Sequence, residues 1–220
     1  MIPAAKAVGS VIGNPRIGEF LFNKIQDKES SIYFIKVNPD RIGYISWFPS
    51  RTPLLREKNA RTGICGGIWD FFKSPFPNHF MYQAYSEYLA GASLNETLYY
   101  RKLLKTRNEK EALKQVQTLT ELSEKLQENG YLSQNELGAT EPSKQNGLWK
   151  IPGNEIVVAM GRRGELIRIA GGRHRLAIAQ QIDIPEVYAV LTLIHPKAAD
   201  KLPEKRRLVT GSDEDFMPIE

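Results

Sequence analysis

Apolar and β-branched residues alternate with turn residues near the start of the sequence. Residues 31–37 read Ser-Ile-Tyr-Phe-Ile-Lys-Val, and Asn38-Pro39-Asp40 follows them as a turn signal. This pattern predicts a strand over 31–37 and a second short extended segment over 42–48. Further on, aromatic and apolar residues at helical spacing predict a helix over 80–89.

Two further helices are predicted in the middle of the chain. Ser93 followed three residues later by Glu96 forms a capping box, which predicts a helix over about 94–105. Residues 109–128 then place five apolar residues on one helical stripe, and Gly130 supplies the stop expected at the helix end. The stripe consists of Leu113, Val116, Leu119, Leu122 and Leu126.

The last third of the chain has a different pattern. Residues 155–160 and 166–169 predict two strands of a hairpin, joined by the turn Arg162-Arg163-Gly164-Glu165. Gly171-Gly172 breaks the second strand, and residues 174–181 and 187–194 predict a helix and a third strand. This β-β-α-β order indicates a small α/β unit.

The polar segment 132–149 indicates a linker between the helical part and this unit. The sequence therefore predicts an α+β protein with an N-terminal and middle part over 1–147, an α/β unit over 148–200 and a tail over 201–220. In that first part the strands lie near 31–48 and the helices near 80–128. The alternative is that the whole chain forms one domain.

The composition says more about where the protein is located than about what it binds. Thirty Lys and Arg against 25 Asp and Glu give a net charge of +5, which favours anionic partners without separating nucleic acid from a nucleotide. No apolar run approaches a membrane span, and no secretory signal is recognisable at the start, so we expect a cytoplasmic protein without a membrane partner. Cys65, the single cysteine, is expected to be a buried structural thiol.

Candidate chemistry concentrates where the predicted strand 166–169 meets the following helix. Gly171 and Gly172 would allow the backbone to approach a phosphate, and the N–H groups at the helix start would point towards it. Arg173 and Arg175 could add charge-assisted hydrogen bonds, but they diverge by about 200° on a helix, so we expect only one, Arg175, to face the anion. The alternative is a plain strand-to-helix connection with solvated basic residues.

The segment Gly-Gly-Arg-His-Arg-Leu-Ala-Ile-Ala, from Gly171 to Ala179, resembles the Gly-x-His-Arg box of the ParB/sulfiredoxin superfamily. The resemblance extends over about residues 154–196 and includes the strand, Arg-x-Gly-Glu turn and strand that precede the box. Gly66-Gly67-Ile68-Trp69-Asp70 is similar to a Gly-x-Trp-Asp signature of a ParB-like group. The resemblance implies a small mixed sheet and a nucleotide-binding site at Gly171, Gly172, Arg173, His174 and Arg175.

Departures from these relatives limit which activity the resemblance implies. Arg173 stands where sulfiredoxin has its catalytic cysteine, so sulfinic acid reduction is not expected. The partitioning proteins carry a DNA-binding domain after the nucleotide-binding one, whereas about 25 residues follow His195 here, so a role in chromosome segregation is not expected. Gly171 replaces an aspartate that many relatives carry. The implied activity is therefore that of a nucleotide-dependent phosphotransferase, a kinase acting on a small molecule.

In such a kinase, Arg175 and His174 would contact the phosphates of ATP, ADP or CTP, among which the sequence does not choose. Mg²⁺ is expected with a bound nucleotide and would need few protein ligands. Asp70 and Glu155 are the candidates for catalytic base or metal ligand, together with His174 as a third catalytic candidate. The alternatives are a turn residue for Asp70, an exposed side chain for Glu155 and a loop-bonded neutral ring for His174.

Other residues are expected to be structural. His79 and His195 are expected to be structural or exposed, and the segment from Gly9 to Asn14 lacks the Gly-Lys-Ser/Thr of a P-loop. A dense aromatic set is expected to form core rather than to stack a base. Its members are Trp69, Phe71, Phe72, Phe76, Phe80, Tyr82 and Tyr85.

Two other functions stay open at this point. One is nucleic-acid binding or ParB-like nuclease activity, supported by the basic residues Lys201, Lys205, Arg206 and Arg207, although Asp213-Glu214-Asp215 after them favours a flexible tail. The other is a nucleotide-sensing module without turnover.

Overall fold

The computed structural model describes residues 32–47, 63–132, 143–145, 148–150, 155–202, 206–209 and 218–219. The Gly9 to Asn14 segment, Lys205, the Asp213-Glu214-Asp215 run and most of the linker predicted over 132–149 lie outside these residues. The fold is α+β, as the sequence predicted, with a mixed sheet and helices packed against it.

Nine of the described strands belong to one mixed sheet, and two others pair as a separate ribbon. In chain order the strands are β1 Ile32–Val37, β2 Tyr44–Ser46, β3 Gly63–Ile64, β4 Lys73–Pro75, β5 Ser143–Gln145, β6 Leu148–Lys150, β7 Ile156–Met160, β8 Leu166–Ala170, β9 Val187–Ile194, β10 Arg206–Val209 and β11 Pro218–Ile219. The order across the large sheet is β11-β10-β1-β9-β7-β8-β2-β4, and β3 pairs with one end of β9. β5 and β6 form the ribbon.

The centre of the sheet is the unit predicted from the last third of the sequence. β7 and β8 form an antiparallel hairpin, and β9 lies parallel to β7 on its other side. All five residues of β7 are buried, as are seven of the eight residues of β9. Such burial on both faces explains why these strands are continuous apolar runs rather than alternating ones.

Four helices are described: α1 Phe80–Leu89, α2 Leu98–Leu103, α3 Glu109–Asn129 and α4 Arg173–Gln181. α1 and α3 confirm the prediction, and Gly130 follows α3 with a φ of 70°. The helix predicted over 94–105 starts later, because residues 94–96 form a 3₁₀ turn and Thr97 caps α2 by accepting a hydrogen bond from the Tyr100 amide. The back-bond of the predicted capping box does form, from the Ser93 amide to the Glu96 carboxylate at 3.1 Å.

The two faces of the sheet are covered differently. Ile35, Val158 and Leu191 belong to the core on the side of the helices, where the stripe of α3 also packs. Val157 and Val190 belong to a smaller core that contains Cys65 and Trp69. Cys65 is buried, as predicted, and burial raises its pKa to about 11, which makes the thiol unreactive at neutral pH.

Strands from both predicted parts of the chain share this sheet. β1 pairs with β9, and β2 pairs with β8, so the boundary predicted near residue 147 does not separate two sheets. Part of the predicted tail is also incorporated, because β10 pairs with β1. None of the described helices combines the length and the apolar character needed to cross a bilayer.

Candidate functional site

The double-glycine bend lies between β8 and α4 and is packed against the start of β7. Gly171 and Gly172 have φ angles of 54° and 50°, in the left-handed region that favours glycine. A Cβ on Gly171 would lie 1.9 Å from the Glu155 carbonyl oxygen, and one on Gly172 would lie 2.4 Å from Ile156 Cγ1. The start of β7 fills the space left by the missing side chains, so a phosphate could approach the bend only from another side.

Arg175 points into the protein and not towards a phosphate site. Its guanidinium donates a hydrogen bond to Glu155 at 3.2 Å and another to the Leu132 carbonyl, and it lies 4.0 Å from the centre of the Tyr131 ring. Arg175 and Glu155 are 5% and 2% exposed. The prediction that Arg175 is the ligand-facing arginine is therefore corrected: it joins the first turn of α4 to β7. The alternative prediction for Glu155, a simply exposed side chain, is also wrong.

Asp70 lies at the other end of β7. Its carboxylate accepts hydrogen bonds from the Arg162 amide at 2.9 Å and from the Arg162 guanidinium at 2.8 and 2.7 Å. Arg162 follows the end of β7 and Glu155 precedes its start, and a five-residue strand separates them by about 16 Å. The structure therefore does not bring Asp70 to the Gly171–Arg175 segment. Asp70 instead fastens the Trp69–Phe71 turn to the β7–β8 turn.

Replacing Asp70 with asparagine should cost about 2 kcal/mol of stability, because the buried end of this ion pair loses its charge while Arg162 stays partly exposed. Burial raises the pKa of Asp70, but the hydrogen bonds and charge of Arg162 outweigh it and hold the pKa below 3.8. Its stabilising effect is therefore present above pH 3.8 and is lost as the pH falls through the lower, folded-state pKa. Urea unfolding from pH 7 to 3 should show this loss in the unchanged protein and not in Asp70→Asn.

On the outer side of the bend, basic side chains from four parts of the fold converge. We call this group the basic cluster: His79, Lys102, Arg168, Arg173 and His174. His174 and Arg173 begin α4, His79 precedes α1, Lys102 lies on α2 and Arg168 lies on β8. Charge interactions link His79 to the other four members, and link His174 to Arg168 and Arg173.

Aromatic rings hold the basic cluster together. Lys102 Nζ lies 4.3 Å from the centre of the Phe80 ring, and the Arg173 guanidinium carbon lies 5.9 Å from the same centre. The His174 ring packs edge-on against Tyr99 at 5.4 Å, and Tyr99 in turn lies 6.2 Å from Phe80. Two cations therefore share one aromatic ring, a placement that cation–π attraction stabilises.

Both histidines of the cluster are neutral at physiological pH. Burial, followed by the charges of nearby cations, lowers the pKa of His79 and that of His174 to about 4. His79 uses Nδ1 to accept a hydrogen bond from the Met81 amide, and thereby caps α1. His174 Nδ1 is buried and has no hydrogen-bond partner among the described residues. The predicted loop hydrogen bond of a neutral His174 is thus not formed through this nitrogen.

The N-terminus of α4 opens into this group without a side-chain cap. Gly172 is the N-cap residue and, as a glycine, has no side chain that could accept a hydrogen bond from the first turn. The positive end of the helix dipole is therefore added to the charges of Arg168 and Arg173. Of the sequence-predicted residues, the cluster contains Arg173 and His174, whereas Arg175 and Glu155 lie behind the bend.

Sequence reasoning missed three members of the basic cluster. His79 was expected to be structural or exposed, and it does cap α1. Its position directly before a helix could have suggested that it lies close to the start of α4. Arg168 interrupts an otherwise apolar strand, which is a recognisable signal in the sequence. Lys102 gives no such signal, since it is one of two adjacent basic residues in α2.

Most of the predicted aromatic core set is buried or packs partly buried against the two cores, and Phe71 is the exposed member. Trp69, Phe76 and Tyr85 are buried. Phe71 is 57% exposed and stacks on the Arg162 guanidinium carbon at 4.0 Å, and Phe80 is partly buried beside the basic cluster. Trp69 lies near His195, which caps the turn Pro196–Lys201 at the end of β9.

Among the residues that the structure describes, no group of three or more His, Cys, Asp and Glu side chains is placed to hold a metal ion. Comparison with protein-family models, with curated proteins and with solved structures gave no match for this chain. The site is therefore interpreted from its own geometry.

Proposed function

We propose that this protein binds a nucleotide, a ParB/sulfiredoxin-like function, and that the phosphates lie against the basic cluster. The observation that carries the proposal is the convergence of Lys102, Arg168 and Arg173 with the start of α4, whose N-cap residue is a glycine. In the part of the chain that the structure describes, the charged side chains that act on His79 and His174 are all cationic. Positive charge crowded in this way is stabilised by an anion, and a phosphate supplies several acceptor oxygens.

The pairing of the cations supports the same proposal. Neither Lys102 nor Arg173 forms an ion pair with a carboxylate in the part of the chain that the structure describes, and both are exposed. Other basic residues are paired, for example Arg101 with Glu87 at 3.3 Å and Lys73 with Glu165. Arg173 is therefore the member of the Gly171–Arg175 segment that we assign to the phosphates, in place of Arg175.

Phosphoryl transfer to a small molecule stays a prediction. Its two candidate carboxylates are held in buried ion pairs, Asp70 with Arg162 and Glu155 with Arg175. Binding without turnover, as in a nucleotide-sensing module, needs only the basic cluster. We therefore propose nucleotide binding as the function and leave ATP, ADP and CTP as the candidates, each with and without Mg²⁺.

Arg173→Ala should weaken nucleotide binding at least tenfold, equivalent to about 1.4 kcal/mol, because one charge-assisted contact to phosphate is lost. The midpoint of urea unfolding without ligand should stay the same, since the side chain is exposed. Lys197→Ala is the matched control: it removes an exposed cation near His195, which lies beyond the other end of β7, and its Kd should equal that of the unchanged protein. Isothermal titration calorimetry with ADP, ATP and CTP measures all three.

Equal Kd values for Arg173→Ala and the unchanged protein would contradict the site. Monitoring the same mixtures by phosphorus NMR shows whether a bound nucleoside triphosphate is consumed, which separates binding from turnover. If single-stranded or duplex nucleic acid bound more tightly than any nucleotide, with affinity falling steeply with salt, the nucleic-acid alternative would replace the proposal.

A further inference from the structure

We propose that the basic cluster takes up a proton together with its anion, and that His174 is the group that receives it. This inference rests on the proposed function, because it concerns the regulation of the same site. It predicts that phosphate-bearing ligands bind more tightly as the pH falls, through a change in the protein in addition to any change in the ligand.

The geometry places His174 where positive charge is concentrated. Arg173 precedes it on α4, and Arg168 on β8 donates a hydrogen bond to the Gly171 carbonyl at 2.8 Å. The charges of both arginines act on His174, and they also act on His79 at the start of α1. From α2, Tyr99 packs against the His174 ring, and Lys102 acts on His79.

Among the described residues, no carboxylate of the remaining elements that pack against α4 is one of the charges that act on His174. The turn Pro39–Arg41 meets α4 near its other end, where Gln180 donates a hydrogen bond to the Pro39 carbonyl. From α3, Gln115 accepts a hydrogen bond from Tyr99. From β7, Glu155 is turned to Arg175.

A ring in this position should respond strongly to an anion. Burial and the two arginines hold the pKa of His174 at about 4, so the ring is neutral in the free protein at neutral pH. A bound dianion opposes the charges of Arg168 and Arg173, which removes one of the two causes of the low pKa. His174 Nδ1 has no hydrogen-bond partner among the described residues, so no described donor holds this nitrogen in its unprotonated form.

The sign of the pH effect follows from linkage. Where the pKa is higher in the complex than in the free protein, the complex holds more protons, so affinity rises as the pH falls through the bound-state pKa. The increase ends below the free-state pKa of about 4. A rise of one pKa unit on binding corresponds to tenfold tighter binding at the low-pH limit.

Sulfate is the probe that isolates the protein's contribution to the pH dependence of binding. Its charge is constant between pH 7 and 5, whereas a phosphate monoester has a second pKa of about 6. The chain has three histidines, so NMR of the ring Cε1–H signals can follow each one, with His79→Gln and His174→Gln assigning two of them. His195 is the internal control, since its amide bonds to Met160 at the far end of β7. We expect saturating sulfate to raise the pKa of His174 by at least one unit and to leave the titration of His195 unchanged.

Calorimetric titration with sulfate and with ADP gives the second readout. Binding by the unchanged protein should tighten as the pH falls from 7 to 5, and His174→Gln should remove this pH dependence for sulfate. If sulfate and ADP bind in an Arg173-dependent way while the His174 titration stays where it was, this inference is wrong and the proposed function stands. If neither ligand binds at any pH, both are wrong.

Discussion

Gly171→Ala should destabilise the protein by about 4 kcal/mol or more, or prevent folding altogether. The new Cβ would lie 1.9 Å from the Glu155 carbonyl oxygen, and this neighbour is main chain that cannot rotate away. Either the bend or the start of β7 has to move, which breaks pairing or packing in the central strands. Urea or thermal unfolding measures the effect, and a cost of this size lowers Tm by about 8–16 °C in a chain of this length.

The clash must be separated from the strain of a left-handed backbone. Gly91→Ala is the control, because Gly91 also has a positive φ, of 94°, but nothing lies within 4 Å of its Cβ position. That substitution should cost only about 1–2 kcal/mol, the penalty of an L-residue in this region. If the two variants lose the same stability, the close packing of the bend on β7 is not what makes Gly171 necessary.

Arg175→Met should cost about 3–5 kcal/mol, because it deprives a carboxylate that is 2% exposed of this cation. The side-chain volume is largely retained, so the loss reports on charge more than on packing. The same variant should keep its affinity for nucleotide to within about threefold wherever it is folded, since Arg175 faces Glu155 and Leu132. Unfolding curves and calorimetry at a temperature well below Tm provide the two measurements.

Two comparisons make this result specific. The double variant Arg175→Met with Glu155→Met should regain most of the stability, because no buried carboxylate is left behind. Lys36→Met breaks an exposed pair with Glu186, whose side chains are 43% and 29% exposed, and should cost no more than about 1 kcal/mol. A large loss of nucleotide affinity in folded Arg175→Met would instead return Arg175 to the ligand site.

Gly171→Ala and Arg175→Met test a supporting role, whereas Arg173→Ala tests a binding role within the same short segment. The segment is shaped and joined to β7 by Gly171, Gly172 and Arg175. The basic cluster on its other side contains Arg173 and His174. We therefore expect stability to depend on the first group and affinity on the second. The five residues from Gly171 to Arg175, which were predicted together as one anion site, therefore fall into these two groups.

Local sequence patterns were sufficient to predict most of the secondary structure. The strand β9 has the bounds predicted, and α3 differs by one residue at its end, because β-branched runs and helical stripes carry their own periodicity. The start of α2 was misplaced, because a capping box predicts a helix start and cannot distinguish an α-helix from the 3₁₀ turn at Leu94–Glu96. The box at Gly171 was correctly placed between a strand and a helix.

The sequence by itself therefore determined the α+β class, the β-β-α-β centre and the concentration of basic residues around His174. Only the tertiary structure decided which arginine faces outward, that Asp70 belongs to Arg162, and that His79, Lys102 and Arg168 join the site. The physical reason is that helix and strand periodicity set the direction of a side chain relative to its own element, whereas its partners come from elements far apart in the chain. Lys102 and Arg168, 66 residues apart in the sequence, act on the same histidine.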